Sequence, residues 1–284
     1  MAASAVLLNQ SCGMGSFGKP EPEGPAIGLQ LYTLRDEIKG DIKPVIEKIG
    51  KIGYTHIETY GFEEGRFFGK TPKQFRNLFY DNGMLIPSGH YYHDSYLTDN
   101  GDGWKKACEA ANILEHEYIV LPNIGEDVRP SNADGYTKLA ERITKLANIS
   151  KDAGLQFAYH NHAFEFKYDW SAKTSIYQVL LEQTDPELVK MELDLFWFVY
   201  ADGDPVTIFY QYPKRFPLFH VKDLDPWTRN NSDLGKGTID FPGIFKHKGE
   251  AGLKYFFVEQ ENYAVSPFDS IEKNIAYVKK ALVA

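Results

Sequence analysis

The stretch LQLYTLRDEI, residues 29–38, decides between two folds that contain a parallel sheet. It contains most of the first predicted strand and the residues that follow it, and it contains no glycine. In a doubly wound open sheet that binds a nucleotide, a glycine-rich loop follows the first strand, because small residues let the backbone approach the phosphates. The absence of glycine at this point therefore favours a closed barrel over an open sheet.

From Ile27 onward, eight short apolar segments alternate with segments whose apolar residues recur at helical spacing. The apolar segments are IGLQLYTL (27–34), YTHIETYG (54–61), MLIPSGHY (84–91), EYIVLPNI (117–124), LQFAYHNH (155–162), VKMELDLF (189–196), FPLFHVKD (216–223) and KYFFVEQE (254–261). Strands separated by helices run parallel, because each crossover returns the chain to the same edge of the sheet. Eight such units predict a closed (β/α)8 TIM barrel, for which about 250 residues is a typical length.

Helix boundaries can also be read from the residues. Thr71, Pro72 and Gln74 have the types expected of an N-cap, a first-turn proline and a capping-box glutamine. The helical pattern over residues 133–153 stops at Gly154, a residue type that commonly ends helices. Both features place helices between the predicted strands.

Composition and charge exclude several classes of partner. The chain has 284 residues and a formal net charge of −8, and its lysines and arginines form no cluster. Such a surface repels a phosphate backbone, so we expect no nucleic acid partner. No apolar run reaches transmembrane length. The two cysteines, Cys12 and Cys108, give neither a disulfide framework nor a zinc spacing, and Cys108 is expected to be buried.

Residues 1–25 differ in composition from the predicted barrel domain, residues 26–284. They begin with small and apolar residues and continue with a stretch rich in glycine, proline and serine. Two interpretations are open: a flexible tail, or the end of an export signal over residues 1–15. The second would make the protein periplasmic, and otherwise we expect it in the cytoplasm.

Polar residues recur at the carboxyl ends of the predicted strands, where parallel barrels gather their functional groups. They are Glu58, Ser88, His90, His160, His162, Asp194, His220 and Glu259. Side chains alternate across a strand, so His160 and His162 share the inward face with Ala158, while Phe157 and Tyr159 face the helices. These strand ends are the candidate site.

The residue types at these ends favour a metal site. Histidine, aspartate and glutamate are nitrogen and oxygen ligands, which suit Mn²⁺, Co²⁺, Mg²⁺ or Zn²⁺. Asp194 and Glu259 follow apolar runs, and burying an unpaired carboxylate is costly, so a functional role is favoured for both. For His220, Glu58 and His90 a structural role remains open. The following residues are expected at the surface: Glu261, His56, His93, His116 and His247.

Over residues 27–282 the chain resembles the sugar phosphate isomerase/epimerase group of xylose isomerase-like TIM barrels. The resemblance rests on GLQLYTLRDE (28–37), SGH (88–90), YHNHAFEF (159–166), ELDLFWFVYADGDPV (192–206), LFHVKDLD (218–225), LGKGTIDF (234–241) and FFVEQEN (256–262). Each motif is weak by itself. Seven of them in this order, each at a strand end or just after one, indicate the family strongly and the substrate poorly.

The resemblance implies one divalent metal ion held by residues from strands 5 to 8. Asp194, His220 and Glu259 match the expected ligands. At strand 5 the usual Glu-Asn-His is replaced by His160-Asn161-His162, so His160 is expected to be the fourth ligand. A different register would give that role to Glu165.

The activity implied is that of a sugar isomerase or epimerase, which moves a proton next to a carbonyl through an enediolate. Members of the group use two glutamates as bases, and the histidine at position 160 puts that symmetrical scheme in doubt. Glu259 is then one base, and His160 or His162 the other. Expected substrate contacts are Glu58, His90, Glu165, Trp197 and Lys222, with a salt bridge to Asp223 as the structural alternative for Lys222.

Other functions are compatible with the same motifs. One is a metal-dependent lyase or hydratase acting on 3-keto-glycosides, and another is a non-catalytic sugar-binding barrel. An endonuclease-like barrel would need more clustered histidines and a basic groove, neither of which is evident. In all retained readings the partner is a small carbohydrate, and barrels of this group often pair as homodimers. The sugar, its phosphorylation and the metal stay open.

Overall fold

The computed structural model of the chain describes residues 19–22, 24–170 and 172–283. Within them, eight parallel strands form a closed barrel. They are β1 (Gly28–Gln30), β2 (His56–Thr59), β3 (Leu85–His90), β4 (Tyr118–Leu121), β5 (Gln156–His160), β6 (Val189–Asp194), β7 (Leu218–Val221) and β8 (Tyr255–Val258). Consecutive strands are neighbours, and β8 pairs with β1 to close the barrel. The predicted TIM barrel is confirmed.

The helices lie between the strands. In the described part of the chain they are α1 (Ile42–Ile52), α2 (Pro72–Tyr80), α3 (Asp102–Leu114), α4 (Ala133–Asp152), α5 (Ile176–Gln183), α6 (Leu195–Tyr200), α7 (Pro205–Gln211), α8 (Phe241–Phe245), α9 (Lys248–Ala251) and α10 (Pro267–Ala281). Short 3-10 helices span Leu31–Leu34, Glu37–Lys39, Asp94–Leu97, Glu126–Val128 and Phe164–Phe166. Two-residue antiparallel strands pair Phe62–Glu63 with Arg66–Phe67, and Asp223–Leu224 with Asn231–Ser232.

The predicted helix ends are present. The hydroxyl of Thr71 accepts a hydrogen bond from the amide of Gln74, and Gln74 Oε1 accepts one from the amide of Thr71, which completes a capping box at α2. α4 ends at Asp152, and Gly154 has a φ of +79°, a conformation that favours glycine. Local sequence signals therefore set where these helices begin and end.

A small apolar layer fills the barrel interior below the carboxyl ends of the strands. It consists of Val120, Ala158, Leu218 and Phe257, which are buried against one another. Phe157 and Tyr159 belong instead to the larger core between strands and helices, as the alternation along β5 predicted. This apolar layer lies below the polar residues at the carboxyl ends of the strands.

Closure of the barrel depends on a glycine in its first strand. Gly28 pairs with Phe257 across the β1–β8 seam. A Cβ atom at position 28 would lie 2.3 Å from the carbonyl oxygen of Phe256 and 2.4 Å from the ring of Phe257. Only glycine fits this approach, so any side chain here would push the first and last strands apart.

Some expectations concern residues that the structure does not describe. Cys12 lies outside the described residues. Most of the proposed tail or export signal also lies outside them, in residues 1–18. Cys108 is buried, as expected. None of the helices in the described ranges combines the length and apolarity needed to cross a bilayer.

Candidate active site

A cavity opens at the carboxyl ends of the strands. Its lining residues are Tyr32, Tyr60, Gly61, Phe62, His90, Tyr92, Pro122, Asn123, His160, His162, Lys222, Glu259 and Glu261. Aromatic side chains line one part of the wall, and charged or imidazole groups line the rest. The structure therefore brings His90, His160, His162, Lys222 and Glu259, five of the predicted site residues, to a common cavity.

Strand β6 places two carboxylates inside the barrel. Glu192 and Asp194 are two positions apart, so their side chains share the inward face, and both are fully buried. Asp194 also caps α6, because its Oδ1 accepts a hydrogen bond from the amide of Trp197 at 3.0 Å. Glu192 was not among the predicted residues, although the same alternation that selected Asp194 would have selected it.

Beneath the cavity floor, five side chains from five strands converge; we call Glu58, His90, His160, Glu192 and His220 the inner group. Glu192 Oε2 lies 2.6 Å from His90 Nε2, 3.0 Å from His160 Nδ1 and 3.3 Å from His220 Nε2. Glu58 Oε2 lies 2.6 Å from His220 Nε2 and 3.2 Å from His90 Nε2. The two carboxylates are fully buried, whereas His90 and His160 reach the cavity.

A second set of charged groups lies nearer the mouth; we call Asp194, His220, Lys222, Glu259 and Glu261 the outer group. Lys222 Nζ lies 3.2 Å from Asp194 Oδ2, 2.8 Å from Glu259 Oε2 and 2.7 Å from Glu261 Oε1. His220 Nδ1 lies 3.0 Å from Glu259 Oε2. His220 therefore belongs to both groups and faces each with a different ring nitrogen.

Two members of the outer group, Glu259 and Lys222, are charged at neutral pH. Burial acts to raise the pKa of Glu259, but the neighbouring Lys222 and His220 outweigh it and hold the pKa well below its usual range. Burial likewise acts to lower the pKa of Lys222, and Asp194, Glu259 and Glu261 outweigh it and raise the pKa. The mouth therefore contains a fixed ammonium among carboxylates.

The histidines differ in charge. Burial disfavours the protonated form of His90, but Glu58 and Glu192 outweigh it and raise the pKa to about 9. For His160, burial together with the nearby His220 and His90 lowers the pKa well below its usual value. Burial and Lys222 lower the pKa of His162 to about 3, so this ring is neutral at physiological pH.

The donor atoms fit a divalent cation. There are two sets of potential ligand atoms, and within each set all the atoms lie within 4.8 Å of one another. One set comes from His90, His160, Glu192 and His220, and the other from Asp194, His220 and Glu259. Among the described residues, the buried Glu192 Oε1 accepts no hydrogen bond, and the buried Asp194 Oδ2 has the ammonium of Lys222 at 3.2 Å. Buried carboxylate oxygens beside imidazole nitrogens are suitable ligands for Mn²⁺, Co²⁺, Mg²⁺ or Zn²⁺.

The motif YHNHAFEF supports the site through its side chains. Asn161 Oδ1 accepts a hydrogen bond from the amide of Asp194, and its Nδ2 donates to the carbonyl of Asp194, which ties the ends of β5 and β6 together. The buried carboxylate of Glu165 accepts hydrogen bonds from Tyr159 and from the backbone amide of His162. Glu165 therefore positions the loop that carries His162.

His162 lies in the cavity wall with a free ring nitrogen. Its Nδ1 is buried and makes no hydrogen bond to any described residue. The ring of Trp197 lies 5.7 Å from the ring of His162 and is half-buried at the edge of the site. A neutral imidazole that lines a cavity can accept a proton from a bound molecule.

Three residues expected at the surface lie elsewhere. Glu261 pairs with Lys222 at the cavity, and His56 and His116 are buried with 9% and 6% of their surface exposed. His116 is enclosed between strands, where Nδ1 contacts the carbonyl of Ile86 at 2.8 Å and Nε2 contacts the hydroxyl of Thr59 at 3.3 Å. The expectations for His56 and His116 were wrong, and the partners of His116 lie 30 and 57 positions away in the sequence.

The alternative of a Lys222–Asp223 salt bridge is also wrong. Asp223 faces the other way and accepts four backbone amide hydrogen bonds, from Leu224, Gly235, Gly237 and Ile239. A Cβ atom at position 237 would lie 2.3 Å from Asp223 Oδ1. Asp223 therefore organises the loop LGKGTIDF, and glycine at 237 permits the close approach.

Comparison with known proteins supports a common family. The family described as xylose isomerase-like TIM barrel matches residues 46–281. A sugar phosphate isomerase/epimerase from Parabacteroides distasonis ATCC 8503 has a crystal structure that is 30% identical, with a TM-score of 0.80, over 91% of this chain and 95% of that one.

Curated relatives named inosose dehydratase also match. The protein from Lacticaseibacillus casei is 26% identical over 306 aligned positions, covering 94% of this chain and 95% of its own length. With the protein from Clostridium beijerinckii the identity is 26%, and the match spans only 55% of that protein and 52% of this chain. The family match covers most of the barrel, and so the chain belongs to the xylose isomerase-like TIM barrel family.

Proposed function

We propose that the chain is a divalent-metal-dependent lyase that removes a proton next to the carbonyl of a keto-sugar or keto-polyol and expels the substituent on the next carbon. One observation carries the proposal: the cavity wall presents a neutral imidazole, His162, and a buried ammonium, Lys222. Epimerases of the group use two matched carboxylates instead. A base and an acid of different type suit a reaction in which one group takes a proton and another gives one.

The residues have separate roles in this reaction. His162 takes the proton from the carbon next to the carbonyl, because its imidazole is neutral and lines the cavity. The electron pair left on carbon forms an enediolate, and its return breaks the bond to the leaving oxygen on the neighbouring carbon. Lys222 supplies the proton that the leaving oxygen needs, and Asp194, Glu259 and Glu261 hold its ammonium in place.

The reaction conserves protons. The substrate loses one proton to His162, and the leaving oxygen gains one from Lys222. Water leaves from a polyol and an alcohol leaves from a glycoside, and a carbon–carbon double bond conjugated to the carbonyl remains. Transfer of the proton from His162 back to Lys222, directly or through solvent, restores the enzyme.

The ligands for a divalent cation would come from the inner group or from the outer group, which share His220. A bound divalent cation would supply Lewis-acid stabilisation of negative charge on the carbonyl oxygen, a contribution of several kcal/mol in such enzymes. The buried Glu192 Oε1, which accepts no hydrogen bond from the described residues, supports a bound cation in this region.

The opposite part of the cavity suits a carbohydrate. Tyr32, Tyr60, Phe62 and Tyr92 line it, and the rings of Tyr32 and Tyr60 meet edge to face at 5.1 Å. Aromatic faces pack against the apolar face of a sugar ring, while phenolic hydroxyls remain available for its hydroxyl groups. The names of the curated relatives, inosose dehydratases, agree with an elimination from a cyclic keto-polyol.

Isomerisation or epimerisation is the second candidate. Glu259 and His162 both line the cavity, which provides a base at two points of the wall. The name of the 30% identical structure agrees with this activity. Glu259 is engaged in salt bridges with Lys222 and His220, whereas the ring of His162 forms no salt bridge among the described residues, and elimination is therefore preferred.

The test is product analysis in D₂O with the metal-loaded protein. An inosose, a 3-keto-glycoside, and a panel of aldoses and ketoses are incubated separately and followed by mass spectrometry and ultraviolet absorbance. Loss of water or of the aglycone, with absorbance from a conjugated ketone, supports the lyase. Deuterium incorporation without loss of mass elsewhere refutes it in favour of isomerisation, and binding without turnover refutes it in favour of a sugar-binding barrel.

A further inference from the structure

The inner group has the spacing of a ligand shell. Three imidazole nitrogens approach Glu192 Oε2 at 2.6 to 3.3 Å, and two of them approach Glu58 Oε2 at 2.6 and 3.2 Å. Ligand atoms that lie about 2.1 Å from one ion are separated by about 3.0 to 3.4 Å in octahedral and tetrahedral shells. Three of the five contacts, at 3.0, 3.2 and 3.3 Å, therefore match the separations that a single ion imposes, and the two at 2.6 Å are shorter, as hydrogen bonds are.

The charges of the inner group also fit a dication. Once a cation occupies the ring nitrogens the imidazoles are neutral, and the carboxylates of Glu58 and Glu192 then give two negative charges in a fully buried place. A divalent cation balances them without any protonated histidine. The second oxygen of Glu192, Oε1, is buried and accepts no hydrogen bond from the described residues, so it remains available as a ligand.

Neighbouring residues hold the inner carboxylate of Glu58 in position. Gln30 Nε2 donates to Glu58 Oε2 at 2.8 Å, and Ser88 Oγ donates to Glu58 Oε1 at 2.6 Å. The amide of Gln30 is itself oriented, because its Oε1 accepts a hydrogen bond from the amide of Tyr32. Supporting hydrogen bonds of this kind orient the ligands of protein metal sites.

The outer group already contains a cation. The ammonium of Lys222 lies 3.2 Å from Asp194 Oδ2 and 2.8 Å from Glu259 Oε2, the two oxygens that a metal ion there would need. An ion bound to both would lie beside the ammonium, and like charges at this range repel strongly in a buried site. His160, which replaces the glutamate of the family pattern, points its Nδ1 at Glu192 and leaves its Nε2 3.8 Å from Asp194.

We infer that the divalent cation of this chain binds in the inner group, to His90, His160, Glu192 and His220 with Glu58 beside them, and that Lys222 takes the place of a cation in the outer group. The ligand set that the family resemblance implies, with Asp194 and Glu259, then serves to hold Lys222. The cation then lies one layer deeper in the barrel than the position beside Asp194 and Glu259 that the family resemblance implies. His90 and His160 still bring its ligand shell to the cavity wall.

The test uses Co²⁺ alone, titrated into the full chain after chelator treatment and dialysis. Bound cobalt is measured by mass spectrometry of the protein fraction and by its visible absorbance. Glu192→Gln and His90→Gln change inner residues only, and the matched Asp194→Asn and Glu259→Gln change outer residues only. Circular dichroism and thermal unfolding identify any variant that fails to fold, and His90, which reaches the cavity, gives a second inner variant if Glu192→Gln fails.

The expected result is one cobalt ion per chain, with an affinity at least about tenfold weaker in the inner variants and unchanged in the outer variants. Lys222→Met is expected to admit a second ion. Equal losses in both pairs, a loss in the outer pair alone, or no cobalt in the unmodified chain would overturn the inference. No substrate is present, so failure of the lyase proposal in product analysis leaves this result intact. Absence of bound cobalt would count against the metal dependence of both proposals, whereas loss of cobalt in the outer pair alone would overturn only the inner site.

Discussion

The ammonium of Lys222 lies 2.8 Å from Oε2 of Glu259, and both side chains are buried at the mouth of the barrel. The pair gives the cavity wall a positive group fixed by carboxylates, where a two-base epimerase presents two free carboxylates. A buried ammonium cannot be removed without leaving its partners uncompensated. Substitution of Lys222 is therefore expected to change both the stability of the protein and the chemistry at the mouth of the barrel.

Lys222→Met is expected to destabilise the protein by about 3 to 5 kcal/mol, because Asp194, Glu259 and Glu261 lose their shared cation. Any measured turnover should fall at least about a hundredfold. Urea unfolding and kcat are the measurements. Lys273→Met, which removes exposed ion pairs on α10, is the control and should cost less than about 1 kcal/mol. Equal effects of both substitutions would contradict the prediction.

His162→Gln is expected to lower kcat by about 10² to 10⁴ with little change in KM, since the base is lost while the shape of the wall is largely kept. The exposed His93, changed to glutamine in the same way, is the matched control and should leave both constants as they are. Steady-state kinetics on the substrate identified by product analysis decide the matter. A wild-type kcat in His162→Gln would remove this residue from the reaction.

Asp223→Asn is expected to loosen the loop of residues 234–241. A carboxylate accepts all four amide hydrogen bonds there, and an amide group offers only one oxygen, so about 1 to 3 kcal/mol is lost for each buried amide left without a partner. Thermal unfolding and the rate of proteolytic cleavage in the loop report the change. Asp240→Asn, at the N-cap of α8, exchanges two good caps and should be nearly neutral.

His116 is expected to make stability depend on pH. Burial lowers its pKa to about 3, below the ordinary value of 6.5, so its contribution is fully present above pH 6.5 and is lost progressively as pH falls towards 3. Between pH 7 and pH 5 the unmodified protein should lose up to about 2 kcal/mol more than His116→Gln. Urea unfolding at the two pH values measures this, with His93→Gln as control. Parallel losses in all three proteins would refute the assignment.

Chelation is expected to lower the melting temperature, because a cation that binds only the folded state stabilises it. The stabilisation is about 2.7 kcal/mol when the free ion is at a hundred times its dissociation constant. Thermal unfolding after chelator treatment, followed by separate additions of Mn²⁺, Co²⁺, Mg²⁺ and Zn²⁺, measures the effect and ranks the ions. A melting temperature that none of the four ions changes would argue against metal binding.

The barrel and much of its site could be predicted because both rest on local patterns. Alternating apolar segments give the strands, and strand ends give Asp194, His220 and Glu259, which the structure brings together. Glu192 has the same parity as Asp194, but only the third dimension shows that it meets three histidines. Parity gives the face of a residue and not its depth.

The burial of His116 and the pairing of Glu261 were not predictable in the same way. His116 follows a helix and looks like a surface residue, yet its ring bonds to Ile86 and Thr59, which lie 30 and 57 positions away. Glu261 likewise lies beyond the last strand and returns to Lys222, 39 positions earlier. Such pairings depend on how successive units pack, which periodicity does not contain.

The glycine seam between β1 and β8 has a consequence for how the molecule acquires its activity. Gly28 meets Phe257 only after the intervening units have folded, and contacts between such distant positions form late because loop closure must come first. Gln30 and Glu259 flank this seam. Gln30 supports Glu58 of the inner group, and Glu259 belongs to the outer group. The return of turnover during refolding should therefore time the closing of the barrel, and lag behind the return of helical signal.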